Sequence, residues 1–367
     1  MFNFRSNKEP NQTKVVVAMS GGVDSSVVAA RLAQEGFNVI GVTLQLYDQG
    51  SVKKSGACCA GKDIYDAKLV ADKFGFPHYV LDYESRFKQS VIDDFADSYL
   101  RGETPLPCVR CNQSVKFHDL MEIAKSLGAD SLATGHYVNN FMGKSGPELH
   151  KAKDENKDQS YFLFATTKSQ LEFLQFPLGD CAKEETRNMA LNLGLEIADK
   201  PDSQDICFVP NGSYSEIIKK IRPNAEIPGK FIHVDGYEMG MHKGIINYTI
   251  GQRRGIGISC PTPLYVVKID PENNVVYLGS EQDLYTEEFI AKELNWIGDG
   301  AIPEGGLYVQ IKTRSRHKGL NAKIYLLDDN NISVKVLGCD KAVTPGQACV
   351  LYDNTRVLGG GWISRMT

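Results

Sequence analysis

Two groups of residues in this 367-residue chain have types and spacing that suit chemistry. The first is a loop with the sequence Val17-Ala18-Met19-Ser20-Gly21-Gly22-Val23-Asp24-Ser25-Ser26. Its paired glycines let the backbone approach an anion, and a helix that starts after them offers free N–H groups and a positive dipole end. No lysine follows the glycines, so this is not a GxxxxGK[ST] phosphate loop. The alternative is an ordinary glycine turn with a Ser/Asp helix cap.

Asp24 is the acidic residue of this loop. A bound phosphate would repel its carboxylate unless a cation lay between them, so we interpret Asp24 as a metal-binding or orienting residue. The loop therefore predicts a nucleotide site in which a divalent cation takes part.

The second group consists of cysteines. Cys108 and Cys111 form a CxxC pair with Arg110 between them, and Cys207 lies far along the chain. A CxxC pair beside a helix that starts near Ser114 predicts thiols that ionise readily. Three such thiols suit sulfur transfer or metal binding, or they are unrelated core residues, and a zinc site would need a fourth ligand. The other cysteines are interpreted as structural or incidental: Cys58, Cys59, Cys181, Cys260, Cys339 and Cys349.

These groups need a scaffold that brings them together. Short apolar runs alternate with helical patterns in the first part of the chain, which predicts a doubly wound parallel sheet of the α/β class. The predicted strands are residues 15–17, 39–44, 79–81 and 131–134, and the predicted helices are residues 25–34, 63–74, 87–100, 116–127, 184–193 and 214–221.

The pattern changes after about Arg222, where glycine and proline become frequent, and short apolar runs alternate with turn residues from about Glu287 onward. The second pattern predicts a small β-barrel. We therefore divide the chain into an adenylation domain at residues 1–215, a central β-rich linker domain at 216–283 and a C-terminal β-barrel at 284–367.

The composition excludes some classes of protein. A net charge of −4 argues against a uniformly basic nucleic-acid coat, but it allows a local basic face. Two basic clusters offer one: residues 252–255, and a second made of Lys312, Arg314, Arg316, His317 and Lys318. Solvated charged faces are the alternative for both clusters. No apolar run reaches the ~18 residues of a membrane span, and the first residues lack a signal-peptide pattern, so a cytosolic protein is predicted.

The loop resembles that of the enzymes that cleave ATP between its α- and β-phosphates. With the cysteines added, the sequence resembles the tRNA-specific 2-thiouridylase (MnmA/TrmU) family over almost its whole length. The resemblance rests on seven segments in order: SGGVDSS, TPLPCVRCNQSVKF, ATGHY, KDQSYFLF, DSQDICF, YTIGQRRGIGI and TPGQACVLY. Seven ordered matches are far more specific than any one of them.

The resemblance implies an activity. In that family, ATP adenylates the C2 oxygen of the wobble uridine in tRNAs for Lys, Glu and Gln, and sulfur from a cysteine persulfide then displaces AMP. Adenylation is chemically sensible because it turns a poor leaving oxygen into a stable leaving group. The resemblance further implies Mg²⁺ with the ATP, a monomer, and a sulfur donor such as a cysteine desulfurase or a sulfur-relay protein.

The resemblance also assigns site residues. Cys111 matches the nucleophile and Cys207 matches the persulfide carrier, and the chemistry permits a disulfide between them during turnover. The residues that match the ATP site are Ala18, Met19, Ser20, Gly21, Gly22, Val23, Asp24, Ser25, Leu44 and Gly135. Those that match tRNA-contacting positions are His136, Lys157, Asp158 and Gln159 near the target base, and Arg314, Ser315, Arg316 and Gln347 in the barrel.

This chain departs from the family pattern at Cys108, where many members carry an aspartate that is the family's candidate general base. The change leaves three thiols, Cys108, Cys111 and Cys207. Three thiolates can hold a [4Fe–4S] cluster whose fourth iron stays open for sulfide. The sequence therefore leaves two versions of the chemistry, one with a persulfide and one with a cluster, and Cys108 is either a cluster ligand or an auxiliary thiol.

Two other functions compete with this interpretation. The first is an ATP-pyrophosphate lyase that acts on a small molecule, such as an amidotransferase-type synthetase, which would need none of the three thiols. The second is a non-catalytic tRNA-binding or chaperone module whose nucleotide loop is vestigial. The intact loop from Ser20 to Ser26 argues against the second.

Overall fold

The computed structural model describes residues 4–47, 61–202, 206–209 and 213–364. In chain order, the strands of these ranges are β1 (Lys14–Ala18), β2 (Asn38–Gln45), β3 (His78–Asp82), β4 (Ser131–Ala133), β5 (Val138–Gly143), β6 (Gly146–Lys151), β7 (Leu174–Gln175), β8 (Gly229–His233), β9 (Glu238–His242), β10 (Tyr265–Asp270), β11 (Val275–Gly279), β12 (Tyr285–Trp296), β13 (Leu307–Lys312), β14 (Leu320–Asp328), β15 (Asn331–Lys341), β16 (Ala348–Asp353) and β17 (Arg356–Ile363).

The helices of the same ranges are α1 (Val23–Gln34), α2 (Gly61–Phe74), α3 (Glu84–Phe87), α4 (Asp93–Leu100), α5 (Pro107–Arg110), α6 (Leu120–Ser126), α7 (Lys168–Phe173), α8 (Lys183–Asn192) and α9 (Tyr214–Ile221). Two π-helical segments, Lys88–Ile92 and Cys111–Asp119, join α3 to α4 and α5 to α6. Within the described part of the chain, no helix has both the length and the apolar character that a membrane span needs.

The first sheet confirms the predicted α/β class. Across the described ranges its strands run parallel in the order β3-β2-β1-β4-β7. Val15 and Val17 of β1 pack into a cluster with α1, α2 and α8, whereas Val16 packs into a cluster with α3, α4 and α6. Successive strand residues point to opposite faces, so the sheet is covered by helices on both sides.

The helix that carries the CxxC pair starts earlier than the sequence pattern indicated. We predicted a helix at residues 116–127, but the helical run begins at Pro107 and continues through the π-helical segment to Ser126. Pro107 occupies the first helical turn, where its missing N–H costs nothing and its fixed φ favours the helix. Cys108 therefore lies in the first turn, and Cys111 lies one turn further along.

The hairpin of β5 and β6 was not predicted. It leaves the first sheet after β4 and adds to the last strand of the chain, with His150 opposite Arg356 and Leu149 opposite Val357. The part of the chain that carries the phosphate loop is thereby hydrogen-bonded to the C-terminal sheet.

The remaining strands form two further sheets in the described ranges. The first has the order β10-β11-β8-β9. The second closes into a barrel in the order β12-β15-β14-β13-β16-β17, because β12 also pairs with β17 through Ala291 and Ile363. Cys349 and Leu351 of β16 point into the barrel core, whereas Val350 and Tyr352 pack against the α/β part of the molecule. The predicted barrel is confirmed.

Candidate active site

The predicted phosphate loop lies between β1 and α1, at the carboxyl ends of the parallel strands. Gly21 has φ +72°, and a Cβ there would lie 2.0 Å from the carbonyl oxygen of Asp63, so only glycine fits. The Ser20 amide donates to Ser25 Oγ at 3.1 Å, which holds the loop against the first turn of α1. The loop thus presents the N-terminal amides of α1 in a conformation suited to an anion.

Two other residues matched to the ATP site lie at the same edge of the sheet. A Cβ on Gly135 would lie 2.8 Å from the Ser25 amide nitrogen, so the chain after β4 passes directly against the loop. Leu44 is buried near the end of β2, the strand next to β1. The structure therefore brings both residues to the loop side of the sheet.

Asp24 is held by a lysine that the sequence analysis did not identify. Lys183, the first residue of α8, places its ammonium group 2.7 Å and 2.8 Å from the two carboxylate oxygens of Asp24. The hydroxyl of Tyr137 donates to Asp24 Oδ1 at 2.8 Å. Burial and the Asp24 charge raise the pKa of Tyr137, so its hydroxyl stays protonated and continues to donate.

Asp202 links Lys183 to two more cations. Its carboxylate lies 2.8 Å from Lys183, 2.7 Å from Lys157 and 3.0 Å from Arg187. Burial opposes ionisation of Asp202, but the hydrogen bonds and charges of Lys157 and Lys183 outweigh it and lower the pKa to about 2. A chain of ion pairs therefore connects the phosphate loop with the segment that leads to Cys207.

Lys200 lies on another side of the loop. Its ammonium group donates to the Gly21 carbonyl at 2.9 Å and pairs with Asp63 at 2.6 Å and Asp66 at 2.7 Å. Although burial opposes it, the pKa of Lys200 is raised, because the hydrogen bonds to the two carboxylates outweigh the effect of burial. Two lysines from distant parts of the sequence thus contact the loop, and lysine ammonium groups are suited to bind phosphate.

The cysteine pair is held by the barrel. Cys108 is exposed on α5, and Cys111 is buried at the start of the π-helical segment. The Arg110 guanidinium lies 4.2 Å from the Trp362 ring centroid and 3.3 Å from Glu293, both on barrel strands. Arg110 therefore anchors α5 to the barrel, a contact that its place between the two cysteines did not reveal.

Cys207 packs against the large hydrophobic cluster that contains Cys111. Tyr47, just after β2, donates its hydroxyl to the Cys207 carbonyl at 2.7 Å. The neighbouring Phe208 packs edge-on against Phe87 and Phe95, with ring centroids 5.9 Å and 5.2 Å away. Cys111 belongs to the hydrophobic cluster that contains these rings, and Cys207 packs against it.

The described residues do not fit an iron–sulfur cluster. Among them, no group of three His, Cys, Asp or Glu side chains is placed to hold a metal ion, and Cys108 is exposed while Cys111 is buried. The cluster version of the chemistry is therefore not supported. Cys58 and Cys59 lie outside the described residues, as do residues 203–205 of the Cys207 motif.

His136 is placed as a neutral ring. It lies edge-on to Phe117 and Phe176, with centroids 5.8 Å and 6.4 Å away, and its Nδ1 lies 2.9 Å from Thr134 Oγ1. Desolvation, with a smaller effect from Lys116, lowers the pKa of His136 to about 3. An uncharged imidazole beside the loop can form hydrogen bonds with a base, but it cannot supply a positive charge.

The Lys157-Asp158-Gln159 segment is strongly tied to its surroundings. The Asp158 side chain is 6% exposed and accepts hydrogen bonds from the Ala152 amide and from both the amide and the hydroxyl of Ser160. Gln159 Oε1 accepts from the Tyr137 amide at 2.9 Å. Asp158 therefore shapes the turn on which its neighbours lie, a role that its polar type alone does not reveal.

The barrel residues matched to tRNA contacts lie in two loops. Arg314, Ser315 and Arg316 are exposed between β13 and β14. Gln347 precedes β16, and its side-chain amide donates to the Thr104 carbonyl at 2.9 Å, just before α5. The second loop therefore touches the segment that leads into the cysteine pair.

Comparisons with known proteins agree with this architecture. Three family models match the chain: "tRNA methyl transferase HUP domain" over residues 13–211, "tRNA methyl transferase PRC-barrel domain" over 215–280 and "Aminomethyltransferase beta-barrel domain" over 286–363. A tRNA-specific 2-thiouridylase MnmA of Rickettsia bellii is 63% identical over 361 residues, covering 98% of both chains. That of Rickettsia felis is 62% identical over 360 residues, covering 98% of this chain and 99% of the relative.

The chain belongs to the tRNA-specific 2-thiouridylase (MnmA) family. Two solved structures that match it overlap it in part. A 4-thiouridine synthetase in complex with RNA and ATP is 18% identical, with a TM-score of 0.38, over 57% of this chain and 50% of that one. The NMN synthetase of Francisella tularensis is 14% identical, with a TM-score of 0.34, over 58% of this chain and 78% of that one. The MnmA assignment rests on the full-length relatives alone.

Proposed function

We propose that this protein is a tRNA uridine 2-sulfurtransferase that uses ATP. The observation that carries the proposal is the 63% identity, over 98% of both chains, to a relative named tRNA-specific 2-thiouridylase. Two features support it: Lys183 and Lys200 contact the phosphate loop, and Cys207 packs against the hydrophobic cluster that contains Cys111. We further propose the wobble uridine of tRNAs for Lys, Glu and Gln as the target.

In the first step, the C2 oxygen of the uridine attacks the α-phosphorus of ATP. Pyrophosphate leaves, N3 loses its proton, and the base becomes an O-adenylated intermediate. The amides of the phosphate loop and the ammonium groups of Lys183 and Lys200 would bind the phosphates. Mg²⁺ would be held by the phosphates and by the carboxylate of Asp24, the acidic residue of the loop. It would neutralise part of the phosphate charge.

In the second step, the terminal sulfur of a Cys207 persulfide attacks C2 and AMP leaves. The Cys111 thiolate then attacks Sγ of Cys207, which releases 2-thiouridine and leaves a Cys111–Cys207 disulfide. Two thiols are oxidised as the transferred sulfur is reduced, so a thiol reductant must restore the enzyme. The immediate sulfur source would be a cysteine desulfurase or a sulfur-relay protein.

Three parts organise this chemistry in our proposal. Residues 1–215 carry the adenylation site, 216–283 link it to the barrel, and 284–367 form the tRNA-contacting barrel. We propose that the enzyme works as a monomer in the cytosol.

The test is reconstitution with purified protein, ATP, Mg²⁺, a persulfide donor and unmodified tRNA, followed by mass spectrometry of the nucleosides. We expect 2-thiouridine at the wobble position, and AMP and pyrophosphate release that depends on tRNA. Release of AMP without tRNA, in the presence of a small-molecule substrate, would favour a small-molecule lyase. Absence of both AMP release and thiolation would leave only a binding module.

A further inference from the structure

Tyr161 connects the barrel with the segment next to the candidate base pocket. We use this name for the residues matched to positions near the target base: His136, Lys157, Asp158 and Gln159. It lies in the 3₁₀ turn Ser160–Leu163, two residues after Gln159, and it is 1% exposed. Its hydroxyl lies 3.0 Å from the Ala348 carbonyl oxygen and 3.2 Å from the Thr313 carbonyl oxygen. A phenol has one hydrogen to donate, so two backbone carbonyls of the barrel share it.

Both carbonyls lie at the base of a loop that the family resemblance places on tRNA. Thr313 directly precedes the exposed residues 314–316, and Ala348 directly follows Gln347. One buried hydroxyl therefore fixes the start of one loop and the end of the other relative to Tyr161. A shift of either loop would break a buried hydrogen bond, which is costly.

Thr313 is held from a second side as well. Its hydroxyl donates to Asp340 at 2.6 Å, and Asp340 is 2% exposed. The same carboxylate lies 3.8 Å from Arg314 and 3.9 Å from His317. The first residues of this loop therefore move with Thr313, and Thr313 is anchored to Tyr161.

We propose that Tyr161 is a positioning residue that keeps the base pocket in register with the two tRNA-contacting loops of the barrel. The inference rests on the proposed function, because it matters only if a tRNA held by the barrel must deliver a base to the phosphate loop. Burial raises the pKa of Tyr161, so its hydroxyl remains a donor throughout the neutral pH range. Small errors in the position of a reacting group cost large factors in rate.

The test compares Tyr161→Phe with the matched variant Tyr352→Phe. Tyr352 is also buried at this interface, but its hydroxyl lies 3.2 Å from Ser160 Oγ rather than at either loop. Tyr161→Phe should leave the Kd for tRNA within about twofold and lower kcat for thiolation about tenfold, the rate equivalent of one hydrogen bond. More AMP should be released per 2-thiouridine formed, because a misplaced adenylated base reacts with water. Tyr352→Phe should keep the wild-type ratio of released AMP to 2-thiouridine formed.

A double-mutant cycle separates positioning from a merely structural role. If Tyr161 acts through the first loop, the effects of Tyr161→Phe and Arg314→Ala on kcat/KM should be non-additive. Additive effects, or equal AMP ratios in the two tyrosine variants, would overturn the inference.

Hydrogen exchange of the wild-type protein tests the link between the Tyr161 segment and the loop at residues 314–316, even if Tyr161→Phe does not fold. We expect tRNA to slow the amides of residues 158–164, and this protection to disappear in an Arg314→Ala, Arg316→Ala variant. Unchanged protection in that variant would overturn the link. A wild-type chain that forms no 2-thiouridine would refute the proposed function, while the exchange result would still decide the link.

Discussion

The ammonium group of Lys183 lies within 2.8 Å of both carboxylate oxygens of Asp24. Asp24 belongs to the first turn of α1 and Lys183 to the first turn of α8, so the pair joins the phosphate loop to a helix 159 residues away. The pair therefore holds an ammonium group at the first turn of α1, where we propose that it also binds a phosphate oxygen of ATP. This relationship gives the first prediction.

Replacing Lys183 with methionine should weaken ATP binding by about tenfold or more, the equivalent of one charge-assisted hydrogen bond. Asp24 would also lose its partner in a site where Lys183 is 11% exposed, so some stability is lost. Calorimetric titration with a non-hydrolysable ATP analogue measures the affinity, and the exposed Lys153→Met is the control. Equal affinity in the two variants would contradict a role for Lys183 with phosphate.

Gly135→Ala should disturb the phosphate loop without unfolding the protein. Its Cβ would lie 2.8 Å from the Ser25 amide nitrogen and 3.0 Å from the Asp24 carbonyl carbon, so the loop must shift. We expect a loss of about 1–3 kcal/mol of unfolding free energy, as for other overpacked sites, with loss of measurable ATP binding. Gly305→Ala is the control, because its Cβ would meet no atom within 4 Å. Normal ATP binding by Gly135→Ala would exclude this close approach.

The three cysteines should differ in their roles. Cys111→Ser and Cys207→Ser should lower thiolation by about 10³-fold or more, as expected for residues that take part in covalent steps, while pyrophosphate release with tRNA continues. Cys108→Ala should retain thiolation, because Cys108 is exposed and the described residues offer no metal site. Nucleoside mass spectrometry measures thiolation, and an iron assay on anaerobically purified protein measures bound iron. Stoichiometric iron together with an inactive Cys108→Ala would restore the cluster hypothesis.

His136 should remain uncharged over the whole neutral range. Its pKa in the folded protein is about 3, below its ordinary value of 6.5, so the folded state favours the neutral ring. The contribution of the neutral ring to the free energy of unfolding is therefore complete above about pH 6.5. It is lost as the pH falls from there towards 3, because the unfolded chain then binds a proton that the folded protein does not. An NMR titration of the imidazole should show no protonation at pH 5. In His136→Gln, this part of the acid destabilisation should be absent, and a wild-type midpoint near 6.5 would contradict the burial.

The exposed Arg316 should contribute to tRNA affinity through phosphate contact. Removing one such contact in Arg316→Ala should reduce the slope of log K against log salt concentration by about 1. Filter binding from low to moderate salt measures the slope. Lys230→Ala is the control, since that lysine lies on β8 and pairs with Glu238. An unchanged slope would show that the loop between β13 and β14 does not meet the tRNA backbone.

Local features of the sequence predicted much of this molecule. Val15–Val17 marks a strand buried on both faces, and Gly21 marks a loop position that only glycine can occupy, so each is readable within a few residues. The ion pairs of Lys183 with Asp24 and of Lys200 with Asp63 were missed because these partners lie more than 100 residues away. Exposed lysines and lysines that line a site look alike until the fold brings distant segments together.

The β5–β6 hairpin shows a different limit. Its turn, Gly143-Lys144-Ser145-Gly146, was a visible signal. Its first strand, however, buries Asn139 and Asn140, so it lacks the alternation of apolar and polar residues that identifies a half-buried strand. The hydrogen bonds of Asn140 to the Leu171 and Leu174 carbonyls satisfy its buried amide, and no local pattern reveals such partners.

That hairpin also sets an order of events on the ribosome. His150 in β6 cannot pair with its partner in β17, Arg356, until about 200 further residues have been synthesised. At ordinary rates of synthesis this delay is roughly 10–40 s. Through that interval the outer edge of β6 has unsatisfied backbone groups, which neighbouring nascent chains or chaperones can engage. A strand from the second half of the polypeptide therefore covers an edge that the first half has already exposed.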